Sequence, residues 1–379
     1  MCTMSRILQR PLPARSGFKR FRSSIFMACF MGTPWILTWR GFTQLARIGV
    51  FSKYALLDPI RLWVGLDIDP FVLVPKTGSL GAVFGFDSDV VNHGISSSLL
   101  EEFKGEVQDF FLLPLEEKKK LWQQPDNHQG FGQLFVVSEE QRLDWSDVFY
   151  LTTLPSNIRK SDIFQKLPQK LRGSLEAYCI EMKRLAMTLL SQMAKALKME
   201  AEEIRDMFTD GFQSMRMNYY PPCPEPDMII GLTPHSDAGA LTILLQLDDI
   251  DGLQIRKEGR WVPVKPLPNA FVINVGDIME GTPEKFGRPI QIVSNGVYHS
   301  VEHRVMVNSV KERLSVATSN SSNINSELGP APSLISPQNP AKFQRVPTEK
   351  YYKDFFARKL DGKSHLKFLK IDQDGGHTS

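Results

Sequence analysis

Between residues 213 and 318 the chain alternates short β-prone segments with turn-forming residues, and this pattern limits the possible folds more than any other feature. Aliphatic and aromatic residues form the segments, and Gly, Pro and Asn separate them. Many short strands of this kind are typical of a β-sandwich or a barrel. The predicted strands are Met215–Tyr219, Met228–Leu232, Leu241–Leu247, Leu253–Arg256, Trp261–Val264, Ala270–Val275, Ile292–Ser294 and Leu314–Thr318.

Helical periodicity occurs on both sides of this β-rich region. Ser96–Phe111 and Pro168–Met199 repeat apolar residues every three or four positions, which predicts a helix in each. A short helix is expected after Pro114, and Pro347–Leu360 is predicted to form a closing amphipathic helix. Asp144–Tyr150 alternates polar and apolar residues, as a half-buried strand does.

One of the β-prone segments begins with a pair of metal-ligand residue types. His235 and Asp237 are two positions apart, and an apolar run follows them. Residues two apart on a strand point to the same face, so the imidazole and the carboxylate are expected side by side. A lone His-x-Asp pair often arises by chance, and it becomes informative only with further ligands downstream.

Those further residues are present. His303 offers a second imidazole, with His299, four positions earlier, as a rival. Two histidines and one carboxylate with open coordination positions form the facial triad of non-haem Fe(II) oxygenases. Arg313 and Ser315 are again two apart on a β-prone segment, and a guanidinium with a hydroxyl beside it suits a ligand carboxylate.

Together with the segment Asn218-Tyr219-Tyr220-Pro221-Pro222, these motifs resemble the plant 2-oxoglutarate- and Fe(II)-dependent dioxygenases over about residues 91–372. Within that family the chain is most similar to the senescence-related oxygenases and to the codeine and thebaine O-demethylases. The resemblance implies a mixed α/β fold with a mainly β core, a double-stranded β-helix or jelly-roll flanked by helices.

The resemblance also implies a role for each motif residue. Fe(II) would be held by His235, Asp237 and His303, since the Glu-His-Arg context of His303 matches the family better than that of His299. Arg313 would pair with the far carboxylate of 2-oxoglutarate. Further hydrogen bonds to that group would come from Ser315, Tyr220 and Asn218. Two aromatic residues are candidates for lining the substrate pocket, with core packing as the alternative: Phe131 and Phe135.

The activity implied is hydroxylation or O-demethylation of a small plant secondary metabolite, with release of succinate and carbon dioxide. Fe(II) and 2-oxoglutarate are the expected cofactor and co-substrate, and ascorbate is the expected reductant. Dioxygen and a small molecule are the expected partners, with neither nucleic acid nor a membrane, and the protein is expected to be a monomer.

Four regions are predicted along the chain. Residues 1–90 form a divergent and poorly ordered N-terminal region, and residues 91–210 form a mostly helical oxygenase region. The jelly-roll core spans residues 211–335, and residues 336–379 form a C-terminal helix and tail. The core contains an insertion, residues 281–291, between segments that adjoin in the family.

Charge distribution and cysteine content bear on where in the cell the protein is located. The net charge is +3, but the first 57 residues contain nine Lys and Arg and no acid. Such a segment is typical of a transit peptide, and the competing interpretation is an end without a targeting role. The four cysteines are far apart and form no CxxC motif, which fits a reduced, cytoplasmic setting.

Two departures from the family pattern leave alternatives open. The insertion lies in the segment that delivers His303, and Ser319-Asn320 stands where the family has an aromatic pair. A non-catalytic, splice-like isoform or a jelly-roll binding module is therefore one alternative. The other is an ethylene-forming type of oxidase, which keeps the motifs but uses no 2-oxoglutarate.

Overall fold

The computed structural model describes residues 72–75, 88–124, 127–133, 141–279, 293–294, 300–341 and 343–358. The predictions for the basic N-terminal segment, for the insertion 281–291, for Phe135 and for His299 lie outside these residues.

The helices fall where the periodicity placed them, with two additions. Ser96 and Pro168 precede the first and the longest helix, and the longest ends at Lys198, which adopts a left-handed conformation with φ of 57°. Two short helices were not predicted, because six to eight residues are too few to show a clear period. In chain order the helices are α1 (Ser97–Leu112), α2 (Leu115–Lys119), α3 (Ser161–Lys166), α4 (Gln169–Leu197), α5 (Ala201–Phe208) and α6 (Thr348–Phe356).

The strands are antiparallel throughout the described residues. They are β1 (Val72–Pro75), β2 (Ser88–Val91), β3 (Gly130–Phe131), β4 (Asp147–Leu154), β5 (Gln213–Tyr220), β6 (Ile230–His235), β7 (Leu241–Gln246), β8 (Leu253–Lys257), β9 (Arg260–Pro263), β10 (Phe271–Val275), β11 (His303–Met306), β12 (Arg313–Asn320), β13 (Glu327–Leu328) and β14 (Val346–Pro347).

One predicted strand differs. Val293 and Ser294 form a bend rather than part of a strand, and the Val293 amide donates to the carbonyl of Ile278 at 2.9 Å. An apolar run of this length does not by itself distinguish a strand from an irregular buried segment.

The strands form two main sheets. The larger has the order β1-β2-β10-β7-β12-β5-β4-β3 and the smaller the order β6-β11-β8-β9, while β13 and β14 pair separately. Alternation divides each strand of the larger sheet between two faces. Met215 and Met217 of β5 belong to the core that includes α4, which packs on β4, β7 and β12. The opposite face meets the smaller sheet through apolar side chains such as Val272 and Leu232.

This is the predicted class, a mixed α/β protein with a mainly β core of jelly-roll type flanked by helices. Strand neighbours that are far apart in sequence, such as β12 between β5 and β7, bring the separate motifs onto one inner surface.

Candidate active site

His235, Asp237 and His303 come together at the ends of two paired strands. β6 ends at His235, β11 begins at His303, and the two residues are direct partners in the register. Their ring centroids are 4.2 Å apart. The Oδ1 atom of Asp237 lies 3.6 Å from Nε2 of His235 and 3.7 Å from Nε2 of His303. Among the described residues, this is the group of His, Cys, Asp or Glu side chains close enough to hold a metal ion.

Hydrogen bonds fix which imidazole nitrogen is available. Nδ1 of His235 lies 2.8 Å from the carbonyl of Thr233, and Nδ1 of His303 lies 3.0 Å from the carbonyl of Val301. A carbonyl only accepts, so each Nδ1 carries the hydrogen and donates it. Both Nε2 atoms are left as lone-pair donors that face Asp237, the arrangement that metal-ligating histidines adopt.

The carboxylate of Asp237 is held in the same way. Its Oδ2 accepts hydrogen bonds from Thr242 and from Asn274, both at 2.6 Å. Burial alone would raise the pKa of Asp237, but the adjacent imidazoles and the Thr242 hydroxyl outweigh burial and bring this pKa well below its usual range. Oδ2 is therefore occupied by protein donors, whereas Oδ1 of the ionised group faces the histidines.

The electrostatics of His303 favour a neutral ligand. Burial lowers its pKa, the neighbouring His235 adds to this, and Asp237 opposes it. Two neutral imidazoles and one carboxylate are the donor set of the non-haem Fe(II) facial triad. The residues present therefore fit a divalent iron ion.

A second group of motif residues lies on the inner face of the larger sheet. In the register Arg313 of β12 is opposite Tyr220 of β5, and Ser315 is opposite Asn218. The Arg313 guanidinium is buried, donates to Gln246 Oε1 at 2.9 Å and to Ser315 Oγ at 3.3 Å, and lies 5.3 Å from the centre of the Tyr220 ring.

Two polar atoms of this group are buried without a partner in the described structure. They are Nε of Arg313 and Oδ1 of Asn218. Burial raises the pKa of Tyr220, which favours the protonated phenol. Burial also lowers the pKa of Arg313, but arginine stays a cation in proteins because its ordinary pKa is so high. A buried cation with a spare donor and a hydroxyl beside it fits the carboxylate of a small acid.

The two groups open into one cavity of about 150 Å³ between the sheets. We call His235, Asp237, His303, Arg313 and Ser315 the motif wall. The cavity also has an aromatic wall, which we define as Tyr150, Phe212, Tyr352, Phe355 and Phe356. Its residues come from β4, from the position just before β5 and from α6.

The predicted site residues divide into three sets. Those of the motif wall, with Tyr220 and Asn218, all line the cavity. Phe131 does not line it: its ring packs with Phe110 and Phe111 at centroid distances of 6.4 Å, the core-packing alternative. The third set, Phe135 and His299, lies outside the described residues.

Ser319 and Asn320, which replace an aromatic pair, have separate environments. Ser319 lines the cavity, whereas Asn320 is buried and its Oδ1 accepts a hydrogen bond from Nε2 of Gln213 at 3.4 Å. Near Ser319 an aromatic ring comes from α6 rather than from β12, since the Tyr352 hydroxyl lies 2.5 Å from Oγ of Ser321.

Sequence reasoning missed several cavity residues. The aromatic wall carried no signal, because it combines segments that are distant in the chain. Thr242 and Asn274, which hold Asp237, were missed as well. Arg216 also lines the cavity, and here a signal existed: it lies two positions before Asn218, so strand alternation places both on one face.

Fold and site together define a non-haem iron oxygenase of the jelly-roll class, and comparison with known proteins specifies the family. Residues 211–321 match the model of the 2OG-Fe(II) oxygenase superfamily, and residues 84–170 match the model described as the non-haem dioxygenase in morphine synthesis N-terminal. Protein SRG1 of Arabidopsis thaliana is 52% identical over 284 residues, which cover 74% of this chain and 76% of that protein. The chain belongs to the 2OG-Fe(II) oxygenase superfamily.

Other relatives agree. Codeine O-demethylase of Papaver somniferum is 48% identical over 325 residues, which cover 86% of this chain and 85% of that protein. Thebaine 6-O-demethylase of the same plant is 51% identical over 74% of this chain and 76% of its own length. The crystal structure of JOX2 in complex with 2OG, Fe and JA superposes with a TM-score of 0.69 and 33% identity, covering 77% of this chain and 84% of that one.

These findings confirm the predicted enzyme class, a non-haem iron 2-oxoglutarate-dependent dioxygenase. None of the helices in the described part of the chain combines the length and the apolar character needed to cross a bilayer.

Proposed function

We propose that this protein hydroxylates or O-demethylates a small plant secondary metabolite, at the expense of dioxygen and 2-oxoglutarate, with release of succinate and carbon dioxide. The observation that carries the proposal is that the His235, Asp237 and His303 cluster and the buried Arg313 open into one cavity. Metal ligands and a carboxylate-binding cation in a shared space are what a metal-chelating keto acid requires.

In this proposal Fe(II) is held by His235, Asp237 and His303 through the two Nε2 atoms and Oδ1. The support is the hydrogen bonding described above, which leaves these three atoms free and directed at one another. When bound together, Fe(II) and 2-oxoglutarate supply dioxygen activation coupled to oxidative decarboxylation of the keto acid.

The far carboxylate of 2-oxoglutarate would be bound by Arg313 with Ser315 and Tyr220, and Asn218 would support the same group. Gln246 orients the guanidinium by accepting from Nη2. Gly252 leaves space for it, since a Cβ at that position would come within 2.9 Å of Arg313 Cδ. The unpartnered Nε of Arg313 is the donor that a ligand oxygen would satisfy.

The substrate would occupy the part of the cavity beside the aromatic wall. Flat aromatic rings offer stacking surface to a flat substrate and exclude water from the reacting carbon. O-demethylation is favoured by the names of several relatives, among them an oxoglutarate-dependent flavonoid 7-O-demethylase of Ocimum basilicum that is 49% identical over 74% of this chain. We retain Phe135 as a predicted pocket residue.

We further infer from the sequence that ascorbate serves as reductant, that the protein acts as a monomer in the cytoplasm, and that the chain divides into the four regions given above. Each of these follows from composition or resemblance.

The proposal is tested by visible spectroscopy without oxygen. Fe(II) and then 2-oxoglutarate are added to purified, folded protein, and a weak charge-transfer band that needs both additions is the expected result. The band should be absent in His303→Ala and present in His299→Ala, the matched control. A folded protein that gives no band, or the same spectrum with and without 2-oxoglutarate, would overturn the proposal and favour the inert isoform or the oxidase that uses no keto acid.

A further inference from the structure

The cavity contains a second arginine that the proposed chemistry does not use. Arg216 lies on the inner face of β5, four residues from Tyr220 and two from Asn218. In the register it is opposite Ala317 of β12 on one side and Tyr150 of β4 on the other. It therefore stands between the strand that carries Arg313 and the aromatic wall.

This arginine has no partner in the described residues. Its Nε is buried without a hydrogen-bond acceptor, and no carboxylate lies within ion-pair distance of its guanidinium in that part of the chain. The Arg216 side chain is partly exposed, but a guanidinium nitrogen that is buried without an acceptor or a nearby counter-charge is unfavourable, so such nitrogens are normally paired. Arg313, which donates to Gln246 and Ser315, also has an unpartnered Nε, and the proposed function assigns that nitrogen to the far carboxylate of 2-oxoglutarate.

The charges that line the cavity also indicate that Arg216 lacks a counter-charge. When Fe(II) and 2-oxoglutarate are bound, the positive charges of the iron and Arg313 are matched by Asp237 and by the two carboxylates of the co-substrate. The charge of Arg216 is left over among the described residues that line the cavity. A neutral substrate would leave this imbalance in place, and a cationic one would increase it.

The side chains around Arg216 leave room for a ligand. Ala317 of β12 is its register partner, and two residues further along each strand, on the same face, lie Ser214 of β5 and Ser319 of β12. All three line the cavity. A substrate can therefore lie over these small residues, with one edge at Arg216 and its body along the aromatic wall.

We propose that Arg216 binds an acidic oxygen group of the substrate, a carboxylate or an ionised phenol, and so selects acidic metabolites over neutral and cationic ones. The inference rests on the proposed function, because it concerns the substrate of the same site. Arg216 would act in recognition and orientation, leaving iron and 2-oxoglutarate binding to the motif wall.

The test compares three probes with one shared skeleton: a methoxynaphthoic acid, the corresponding methoxynaphthamide and the corresponding methoxynaphthol. Binding to protein loaded with Fe(II) and 2-oxoglutarate is measured without oxygen by calorimetry. Absorbance of the naphthol also reports whether it binds ionised. The variants are Arg216→Gln, which removes the charge, Arg216→Lys, which keeps it, and the control Arg205→Gln, whose side chain is 63% exposed on α5.

We expect the wild type to bind the acid, the ionised naphthol, or both, at least about tenfold more tightly than the amide, as a charge-assisted hydrogen bond implies. Arg216→Gln should reduce this preference to less than about threefold, while Arg216→Lys keeps most of it and Arg205→Gln changes nothing. Whichever probe shows the preference identifies the source of the negative charge.

Where a probe binds, three results would overturn the inference. The first is a wild type that binds the amide as well as both acids. The second is an unchanged preference in Arg216→Gln. The third is a rise in the 2-oxoglutarate concentration needed for the charge-transfer band in Arg216→Gln, since Arg216 would then serve the co-substrate. If no probe binds, the small molecules that wild type and Arg216→Gln retain from a leaf extract are compared by mass spectrometry, and equal shares of acidic compounds would overturn it.

The two proposals fail in different ways. A band without any preference for acids leaves the oxygenase function in place and removes the role of Arg216. Absence of the band in folded wild type removes the oxygenase function, whatever the protein binds.

Discussion

The motif wall and the aromatic wall of the same cavity are built by different means. Each side chain of the motif wall stands on a strand or at the end of one, and a protein hydrogen bond fixes its orientation, as the Thr233 and Val301 carbonyls do for the two histidines. The aromatic wall is joined mainly by ring packing, such as Phe212 on Tyr352 with centroids 4.8 Å apart. Hydrogen bonds fix angles and positions, whereas ring contacts mainly define a shape.

The comparison indicates a division of work. Iron and co-substrate need ligand atoms at fixed distances, and strand register supplies these. A substrate needs a surface of matching form, which a helix packed across the cavity can provide. A hydrogen bond links α6 to the metal-binding turn: the Tyr351 hydroxyl donates to the carbonyl of Ala238 at 2.9 Å, and Ala238 follows Asp237 in the chain.

Among substitutions that separate the two walls, Arg313→Gln is expected to have the largest effect, on 2-oxoglutarate affinity. The substitution leaves one co-substrate carboxylate without its cation in a buried site, a loss of about 3 kcal/mol or about 100-fold in affinity. The 2-oxoglutarate concentration that gives half of the charge-transfer band should rise accordingly, while Fe(II) affinity stays unchanged. Arg313→Lys is the matched control and should lose less, because it keeps the charge without the fork.

A rise of less than about threefold in Arg313→Gln would show that the buried arginine is not the carboxylate site. In that case Arg216 becomes the candidate for binding the co-substrate carboxylate, and co-substrate binding would no longer be assigned to the motif wall.

The motif wall was largely predictable from sequence because most of its residues lie close to one another in the chain. Arg313 and Ser315 are two apart on β12, and alternation alone places both on one face. His235 is the last residue of β6 and Asp237 follows two residues later, so their closeness in the chain brings them together. The choice of His303 depended on the family resemblance, since its pairing with His235 arises from a register between distant strands. Strand register across a long connection is not encoded in any single segment.

The aromatic wall was not predictable for the converse reason. The α6 segment was predicted as an amphipathic helix, but nothing local indicates that its apolar face meets Tyr150 of β4. In the structure the ring centroids of Tyr150 and Phe356 are 6.2 Å apart. Phe131 was a candidate for the pocket on resemblance, with core packing as the alternative, and its ring packs against Phe110 and Phe111. Packing partners that are distant in sequence need the whole fold.

An intermediate effect is expected from Asn274→Ala. This amide holds Oδ2 of Asp237, and its loss frees the carboxylate to rotate away from the two imidazoles. Loss of such an outer hydrogen bond typically weakens metal binding by about tenfold or more. Fe(II) titration under anaerobic conditions measures this, and Thr242→Val should act in the same direction because Thr242 bonds the same oxygen.

Thr188→Val on α4 is the control for both variants, since Thr188 bonds only the carbonyl of Arg184 in its own helix. Fe(II) affinity that is equal in Asn274→Ala, Thr242→Val and this control would mean that Oδ2 needs no support. In that case hydrogen bonds to Asp237 would not be what fixes the metal ligands of the motif wall.

The smallest effect is expected from Phe356→Ala, and it tests whether the two walls act independently. The Phe356 ring stacks on His128 with centroids 4.9 Å apart and contacts Tyr150, so its removal opens the aromatic wall without touching the motif wall. Loss of one aromatic contact should weaken binding of the methoxynaphthoic acid about 3- to 10-fold. Half-saturation by 2-oxoglutarate should stay within about twofold, and Leu112→Ala, at a side chain that is 68% exposed on α1, should change neither. A parallel fall in co-substrate affinity would show that α6, through the Tyr351 hydrogen bond to Ala238, also holds the metal-binding turn in place.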